Sequence, residues 1–475
     1  MASGCPLRRE RVFVPRIPQK VHFIGIGGVG MSGIAQILLS LGHRVSGSDA
    51  RTSVVTERLQ GLGARIYHGH SSENVGDVEI VVISSAIAPD NPEVLAAYER
   101  GIRIIPRAQM LGLVMREQKG IAVAGAHGKT TTTSLAAFLL EKAGLDPTFV
   151  IGGEAAEIGN AKVGTGGFFV AEADESDGSF VLLDPTIAIV TNVENDHLDH
   201  YKTLDNIERA FRDFLMRVPP EGVLVLCADD PILLRLAQQM ETPVITYGRS
   251  ADTEYRLDSF SLNCVTSGAD VYWRGEFLGR LELSIPGRHN LLNALGVLAM
   301  GRYLGLEFGE IAGILKAFRG VKRRFETMGE IGGVRVVDDY AHHPTEVQVT
   351  LEAARQTNPG RLIAVFQPHR YTRTQFLHKE FGQSFSKADI VLLNSIYSAG
   401  EAPIEGVTAQ LIVDEIKKHR RDGVHFFETQ DELVGYLSGM ARAGDLILTL
   451  GAGDIRKSGV ALLKRLEGSA GGNSA

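Results

Sequence analysis

Cysteine, tryptophan and long apolar runs are all scarce in this chain of 475 residues. The three cysteines, Cys5, Cys227 and Cys264, have no metal-binding or redox spacing and cannot all pair, which predicts a reducing, cytoplasmic environment. No run of about 18 apolar residues exists, so we expect no membrane span. The N-terminal stretch contains no apolar core of the kind that signal peptides need, so none is expected.

An excess of basic charge is also missing. The formal net charge is -7, whereas nucleic-acid proteins bind largely through basic residues that neutralise phosphates. We therefore expect no nucleic-acid partner. The hydrophobic fraction of 44% is ordinary for a globular protein, and the length suggests about three domains, each able to bury a core.

Short apolar strands alternate with helical stretches along the chain, which is typical of parallel α/β sheets. We predict a Rossmann-like N-terminal domain over residues 1–117 and a C-terminal Rossmann-like α/β domain over residues 327–475. Between them, residues 118–326 are predicted to form a P-loop ATPase-like domain with a mostly parallel sheet. Shorter alternating strands between Asp252 and Ile285 predict a small antiparallel subsheet there.

The first glycine-rich turn, Gly25–Gly30, matches G-x-G-x-x-G between a strand and a helix. Asp49 ends the next strand, where a ribose-binding acid would lie in an NAD enzyme. The glycines and the helix N-terminus would suit any diphosphate equally well. Three interpretations are therefore open at this point: a tight turn without a ligand, a dinucleotide redox cofactor, or another nucleotide diphosphate such as a UDP-sugar.

A second glycine turn, Gly125–Thr130, again lies between a strand and a helix. It is a shortened relative of the Walker motif, because Val123 stands where the full pattern needs glycine. Its amides can hold phosphate oxygens, Lys129 can neutralise the β- and γ-phosphates, and the Thr130 hydroxyl can bind Mg²⁺. The segment thus predicts ATP binding.

Acidic residues follow two later strands, at 172–177 and 194–199. Open α/β sheets bind ligands at the carboxyl ends of their strands, where these side chains would lie. Because Mg²⁺ prefers oxygen ligands, Glu172 is a candidate ligand. His197 is a candidate ligand of a second cation, although histidine is an unusual ligand for Mg²⁺. Taken singly, each acid could equally be a solvated loop residue or a helix cap.

These motifs, in this order, resemble the central domain of the Mur ligase family of ATP-dependent amide-bond ligases. The resemblance continues through segments 287–294, 318–326, 338–344 and 367–374, and it covers roughly residues 20–465. The chain departs from the family at Ala126 and Ala341, where threonine and glycine are usual. Both replacements are small, so we expect the same reaction.

The first domain resembles that of the alanine-adding members of the family, in segments 25–31, 46–49 and 84–87. In those members the Rossmann-like domain holds UDP, not NAD. The resemblance implies UDP-N-acetylmuramate, ATP and L-alanine as partners, with two Mg²⁺ sites in which Mn²⁺ can substitute, and a monomer or homodimer. A related member, which joins a recycled murein tripeptide to the same UDP-sugar, is the alternative; it typically has a cysteine near the position of Gly27.

The candidate site residues fall into four groups. The predicted ATP-binding residues are Gly125, His127, Gly128, Lys129, Thr130, Thr131, His289, Asn290, Asn293, Arg324 and Asp339. The predicted UDP-sugar-binding residues are Gly27, Gly28, Val29, Gly30, Met31, Ser48, Asp49, His70 and Ser84. The predicted amino-acid-binding residues are Tyr340, His342, Arg370 and Arg373, and the predicted metal ligands are Thr130, Glu172 and His197. The predicted catalytic residues are Lys129, His197, Arg324 and His342.

The reaction that the family resemblance implies activates a carboxylate. Attack of the muramate carboxylate on the γ-phosphate of ATP gives an acyl phosphate, which the amino acid's amine then converts to an amide. Three anionic partners meet, so the site must concentrate positive charge, and Lys129, Arg324 and the two cations supply it. Arg370 and Arg373 suit the alanine carboxylate, because a guanidinium pairs bidentately with it. We expect the domains to close about a hinge near Arg324–Gly332.

Two other classes of protein compete with this interpretation. An NAD-dependent oxidoreductase would explain Gly25–Gly30 but not the phosphate loop or the acidic clusters. A P-loop ATPase that acts through a partner protein would hydrolyse ATP without any small amine. A ligase, by contrast, requires both the UDP-sugar and the amino acid.

Overall fold

A computed structural model describes residues 17–263, 265–420 and 422–471. Cys5 and Cys264 lie outside the described residues, and Cys227 is a buried free thiol. Within these ranges no helix combines the length and the apolar character needed to cross a membrane. The chain divides into two compact units, of which one runs to Lys119 and includes Leu182–Asp184, and the other holds the rest from Gly120.

The first unit contains a five-stranded parallel sheet of order β3-β2-β1-β4-β5 with helices between its strands. This is the Rossmann-like arrangement that the sequence predicts. Its elements are β1 (Lys20–Ile24), α1 (Val29–Ser40), β2 (Arg44–Asp49), α2 (Val54–Gly61), β3 (Arg65–His68), β4 (Ile80–Ile83), α3 (Pro92–Glu99), β5 (Arg103–Pro106) and α4 (Arg107–Met115).

The second unit contains two sheets, and the first of them has ten strands in the order β15-β14-β13-β12-β11-β10-β6-β9-β7-β8. The predicted antiparallel subsheet is its β13–β15 edge. The strands are β6 (Lys119–Ala124), β7 (Thr148–Ala155), β8 (Gly159–Lys162), β9 (Phe168–Glu172), β10 (Ile187–Val190), β11 (Val223–Cys227), β12 (Val244–Gly248), β13 (Tyr255–Leu262), β14 (Ser267–Trp273) and β15 (Glu276–Leu283). The helices are α5 (Lys129–Lys142), α6 (Leu198–Tyr201), α7 (Leu204–Leu215), α8 (Pro231–Ala237), α9 (Arg288–Tyr303) and α10 (Phe308–Ala317).

Helix α5 follows the phosphate loop and is buried along most of its length, from Thr130 to Leu140. Four consecutive threonines follow its first residue, although β-branched residues are mediocre helix formers. Burial against α9 and the sheet outweighs this preference. The hydroxyls of Thr133 and Ser134 also donate to carbonyls one turn earlier, so their polar atoms are satisfied inside the core.

The other sheet of the second unit has six strands in the order β16-β17-β21-β18-β19-β20, parallel except for the edge strand β16. Apolar clusters cover both of its faces, as expected for a parallel sheet between helices. Its elements are β16 (Glu326–Ile331), β17 (Val334–Asp339), α11 (Pro344–Gln356), β18 (Arg361–Phe366), α12 (Tyr371–Ser384), β19 (Ile390–Asn394), α13 (Gln410–His419), β20 (Val424–Phe427), α14 (Gln430–Met440), β21 (Asp445–Leu450) and α15 (Arg456–Gly471).

Three α/β sheets, mostly parallel, confirm the predicted fold class. The domain boundaries after residues 117 and 326 stay predictions. Most of the segment predicted as a hinge, Arg324–Gly332, forms the strand β16, which pairs with β17.

Candidate active site

The phosphate loop connects β6 to α5, and two of its glycines have backbone conformations that other residues rarely adopt. Gly125 has φ 134°, and a Cβ there would lie 2.1 Å from the Thr191 hydroxyl. Gly128 has φ 84°, and a Cβ there would lie 2.7 Å from Oδ1 of Asn293 on α9. Both positions therefore require glycine, and Asn293 lies directly against the loop, as the prediction of a shared nucleotide site needs.

Lys129, the first residue of α5, binds the loop's own oxygens. Its ammonium group donates to the Gly125 carbonyl at 2.7 Å and to the Glu175 carboxylate at 2.7 Å. Burial lowers the pKa of Lys129, but the carboxylates of Glu175, Asp174 and Glu172 outweigh it and raise the pKa above its usual value. A fixed cation thus lies at the mouth of the phosphate loop.

Oxygen ligands gather beside this lysine. The Thr130 hydroxyl donates to Oε1 of Glu172 at 3.2 Å, and the Arg324 guanidinium lies 3.4 Å from the same hydroxyl. Burial raises the pKa of Glu172, so a cation would relieve a costly buried charge there. One oxygen of Glu175 is buried without a hydrogen-bond partner. These hard donors fit Mg²⁺.

His197 lies on the other side of Glu175. Its Nε2 is 3.6 Å from Oε1 of Glu175 and 3.5 Å from Oδ2 of Asp196. Burial lowers the pKa of His197, but the hydrogen bond to Glu175 and the charge of Asp196 raise it above the usual value. The backbone of His197 is left-handed, with φ 55°, and such strain is often found at functional positions. Glu175 therefore connects the phosphate-loop lysine to the predicted second cation ligand.

His127 is the middle residue of the phosphate loop, and both of its ring nitrogens lie against carboxylates. Its Nδ1 lies 3.2 Å from Glu346 and its Nε2 3.2 Å from Glu194. Its backbone N–H donates to the Asn192 side chain at 2.8 Å. Burial lowers the pKa of His127, but the two carboxylates raise it to about 10, so the ring is an imidazolium at neutral pH.

The predicted amino-acid-binding residues lie at the carboxyl ends of β17 and β18. The ring of Tyr340 lies beneath the Arg324 guanidinium, 5.2 Å from its centre, and Nδ1 of His342 lies 2.9 Å from the Tyr340 carbonyl. Because a carbonyl only accepts, His342 donates from Nδ1. Burial holds the pKa of His342 at about 4, so its Nε2 is unprotonated at neutral pH.

The arginine pair lies where β18 leads into α12. Arg373 is 3.5 Å from the Asp196 carboxylate, and its Nε is buried without a partner. Arg370 has a left-handed backbone, φ 71°, and its guanidinium is 3.9 Å from Glu401. The two arginines and His197 line one cleft, together with Asn195, Asp196, Leu198, Thr372, Phe376 and Leu377.

Four further residues belong to the predicted nucleotide-binding group. His289 is held neutral, because burial and the nearby Arg324 lower its pKa to about 4. The Asn290 side chain donates to the Pro286 carbonyl at 2.7 Å. Asp339 accepts from the backbone N–H groups of Phe325 and Ala341 at 2.7 and 2.8 Å, so it fixes the loop that carries Arg324. Thr131 is buried in the first turn of α5.

In the first unit, the turn of Gly25–Gly30 leads from β1 into α1 as predicted. The Asp49 carboxylate accepts the Gly27 amide at 2.9 Å and the Arg51 amide at 3.2 Å, so it braces the turn. A Cβ on Gly27 would lie 2.8 Å from Asp49. Met31 is buried beneath the turn, whereas Gly28 and Val29 are exposed at its surface.

A buried carboxylate, Glu93, lies behind the predicted UDP-sugar residues. It accepts a hydrogen bond of 2.5 Å from the Ser48 hydroxyl, and His70 lies 3.1 Å from the same hydroxyl. Burial raises the pKa of Glu93, but hydrogen bonds from His22, Ser48 and Asn74 outweigh it and lower the pKa to about 2. Ser84, at the end of β4, is half-buried and its carbonyl accepts the Ile87 amide.

Several residues were not predicted from the sequence. They are Glu93 in the first unit, and Glu175, Glu194, Asp196, His343, Glu346 and His369 in the second. Glu175 and Asp196 lie within the acidic segments that were recognised, but spacing did not indicate which acid contacts Lys129 or Arg373. His369 immediately precedes the arginine pair, and its ring stacks on Tyr397 at 5.7 Å. Nothing in the sequence points to Glu93 and Glu346 beyond their positions near helix N-termini.

Three family descriptions match the chain in sequence order. They are "Mur ligase family, catalytic domain" at residues 20–119, "Mur ligase middle domain" at 123–301 and "Mur ligase, glutamate ligase domain" at 323–453. The chain belongs to the Mur ligase family. This membership contradicts the alternative of an NAD-dependent oxidoreductase, because the first match includes the Gly25–Gly30 turn.

The similar proteins include UDP-N-acetylmuramate–L-alanine ligases. The one from Pelotomaculum thermopropionicum is 56% identical over 94% of this chain and 97% of its own length; that from Desulforamulus reducens is 51% identical over 94% and 98%. The crystal structure of UDP-N-acetylmuramate-alanine ligase from Thermotoga maritima matches with TM-score 0.81 and 31% identity, over 95% of this chain and 99% of that one. A murein peptide ligase from Psychrobacter arcticus matches with TM-score 0.70 and 26% identity, over 94% and 98%.

Proposed function

We propose that this chain joins L-alanine to the carboxylate of UDP-N-acetylmuramate, with ATP converted to ADP and phosphate. The full-length similarity to ligases of that name supports the substrates. The observation that carries the proposal is the cleft in which His197, from the phosphate-binding sheet, and the arginine pair of α12 line the same space. An activated carboxylate and an amino acid can meet there. Because ATP is a substrate, we propose the cytoplasm as the compartment.

The first step is attack of a muramate carboxylate oxygen on the γ-phosphorus, with ADP as leaving group. Lys129 and Arg324 neutralise the charge that builds on the phosphates, and the loop amides orient them. Thr130 and Glu172 would hold one Mg²⁺, and His197 with Glu175 a second. When bound, the cations supply further charge neutralisation at the phosphates. His289, Asn290 and Asn293 lie around the nucleotide.

The second step is attack of the alanine amine on the acyl phosphate, with phosphate as leaving group. Arg373 and Arg370 hold the alanine carboxylate. The Tyr340 ring keeps the neighbouring Arg324 guanidinium in place. The amine must be neutral before it attacks, and the unprotonated Nε2 of His342 can accept a hydrogen bond from it. The amide nitrogen therefore replaces the phosphate oxygen on the acyl carbon.

The first unit binds the UDP-sugar in this proposal. The N-terminus of α1, with Val29, Gly30 and Met31, faces the diphosphate, and Gly27 and Gly28 keep the turn before it free of side chains. Ser48, His70, Asp49 and Ser84 lie at the strand ends around it. Glu93 orients Ser48 through a hydrogen bond of 2.5 Å and lies 3.5 Å from Nδ1 of His70.

A phosphate-release assay with a panel of UDP-sugars and amino acids tests the proposal. Release should require both UDP-N-acetylmuramate and L-alanine, and mass spectrometry should detect the amide. Glycine and L-serine differ from alanine by one small group, so discrimination against them is expected to be modest, about 1–3 kcal/mol. If a murein tripeptide replaced alanine as the preferred substrate, the recycling ligase would be the correct assignment. ATP hydrolysis without any amine would instead indicate a switch protein.

A further inference from the structure

The imidazolium of His127 connects two sheets of the second unit. Glu194 follows β10, in the sheet of the phosphate loop, whereas Glu346 lies in the first turn of α11, which follows β17 in the other sheet. Both carboxylates are within 3.2 Å of a ring nitrogen. The side chains of His127 and Glu346 are each 13% exposed, so solvent screens this pair poorly.

The second oxygen of Glu346 has a different set of partners. Oε2 accepts the backbone N–H of His342 at 3.0 Å and that of His343 at 3.3 Å. These two amides belong to the segment that carries His342 beside Tyr340 and the arginine pair. One carboxylate therefore holds the phosphate loop by one oxygen and the amino-acid-binding segment by the other.

Further contacts support the same junction. The Thr345 hydroxyl donates to Glu194 at 2.7 Å, and the His343 ring lies 4.8 Å from that of His127. We propose that Glu346 is a positioning residue of the ligase reaction, which fixes the phosphate loop and the amino-acid-binding segment relative to each other by clasping His127. This inference rests on the proposed function, since it assigns both ends of the clasp to substrate sites.

A helix cap alone does not explain Glu346. Its bond to the His343 amide is half of a capping box, which needs only one carboxylate oxygen. Glu432 of α14 makes the same capping box with Thr429, and it is exposed. Glu432 thus offers a matched control in which the cap is present and the cross-sheet contact is not.

A bound cation is a competing explanation, because ligand atoms of His127, Glu194 and His343 lie within 4.8 Å of one another. A cation would require both imidazoles to offer lone pairs to it. Nδ1 of His343, however, accepts the Thr345 amide at 3.4 Å, which leaves the proton of the neutral ring on the buried Nε2. Neither ring nitrogen of His343 then offers a lone pair to a cation, which favours ion pairing over metal binding in this cluster.

Steady-state kinetics of E346Q, H127Q, their double variant and E432Q test the clasp. Glutamine at 346 keeps the cap but loses the charge, and glutamine at 127 keeps a donor toward Glu194 only. We expect kcat/KM for alanine to fall by about tenfold or more in each single variant, with a smaller change in KM for ATP. The kcat/KM of the double variant should lie no more than about threefold below that of the more impaired single variant, because the same contact is lost in all three variants.

H127N serves as a conservative rescue, because its amide nitrogen lies near the position of Nδ1 and can still donate to Glu346. It should retain more activity than H127Q, and E432Q should match the wild type. The proposal is overturned if E346Q behaves like E432Q, or if the effects of the two single variants multiply in the double variant. Stoichiometric Zn²⁺ binding that H127Q abolishes would overturn it as well.

A spectroscopic measurement separates failure of the clasp from failure of the proposed function. In protein labelled with ¹³C-histidine, the His127 signal, assigned by its loss in H127Q, should remain that of an imidazolium at pH 8. In E346Q its pKa should move down toward the ordinary value. Titration of the wild-type ring near pH 6.5 would contradict the clasp whether or not the protein forms an amide. Persistent protonation without amide formation would contradict only the ligase activity.

Discussion

At the scale of single residues, the site combines cationic side chains with buried carboxylates that keep these side chains charged and oriented. Lys129, Arg324, His127 and Arg373 each contact or face at least one acid. Such pairing lets positive charge be fixed before the phosphates arrive, which is the arrangement that electrostatic stabilisation of a transition state requires. The substitutions that follow separate the phosphate contacts from the amino-acid contacts.

Replacement of Lys129 by alanine should lower alanine-dependent ADP release by about 10²-fold or more, because a phosphate contact of the transition state is lost. ADP release can be followed in a coupled assay. The matched control is K162A, since Lys162 is also paired with carboxylates, Glu141 and Asp146, but outside the candidate site. Near-normal turnover of K129A would remove the phosphate loop from the mechanism.

Replacement of Arg373 by alanine should raise KM for alanine by about 10- to 100-fold and change KM for ATP much less. The reason is that the variant loses its contact with the carboxylate of the substrate alanine. R370A should act in the same direction. R235A provides a control, because Arg235 is exposed and pairs with Glu208 outside the candidate site. Equal increases in both KM values would argue that the pair stabilises the fold instead of binding the amino acid.

The sequence identified many of these residues but not their pairing. The glycine spacing and the following lysine and threonine sufficed for the phosphate loop, because neighbours in sequence are neighbours in space there. Glu346 and His127 are 219 positions apart, so no local pattern could connect them. Likewise, the acidic segments were recognised as a group, but only the packing of α5 against the strand ends selects Glu175 as the partner of Lys129.

At the scale of secondary-structure elements, alternation of strands and helices predicted the three sheets. Short or glycine-containing strands were harder to recognise from the sequence pattern. Two glycines interrupt β7, and β16 is a half-exposed edge strand with an irregular register. Edge strands carry a weak pattern, since one side lacks a neighbour. By contrast, β11 is a continuous apolar run, Val223–Cys227, and its composition could have indicated it.

The N-cap of α8 provides a test at this scale. Asp230 accepts the amides of Ile232 and Leu233 with one oxygen, and the amide of Val193 at 2.7 Å with the other. Thr203 caps α7 through a single amide. T203A should therefore destabilise the protein by about 1 kcal/mol, because only a helix cap is lost. D230A should destabilise it by about 2–3 kcal/mol, because the hydrogen bond from the Val193 amide to a charged group is lost as well. Melting temperatures from scanning fluorimetry measure the difference, and equal shifts would contradict the second role of Asp230.

At the scale of the whole molecule, one reaction depends on three sheets with separate tasks. The first unit carries the glycine turn proposed for the UDP-sugar, and the second unit carries the phosphate loop and the arginine pair. The chain length suggested about three domains, and the family resemblance predicted their order. The arrangement of acids within each site required the folded structure, because those contacts join residues from different elements.

The central claim is that the muramate carboxylate attacks the γ-phosphate before the amine attacks. UDP-N-acetylmuramate labelled with ¹⁸O in its carboxylate, incubated with the protein, ATP, Mg²⁺ and L-alanine, tests it most directly. The account predicts that each molecule of released phosphate carries one ¹⁸O atom and that the amide retains the other, as read by mass spectrometry. Amide formation with unlabelled phosphate, or no amide at all, would contradict it.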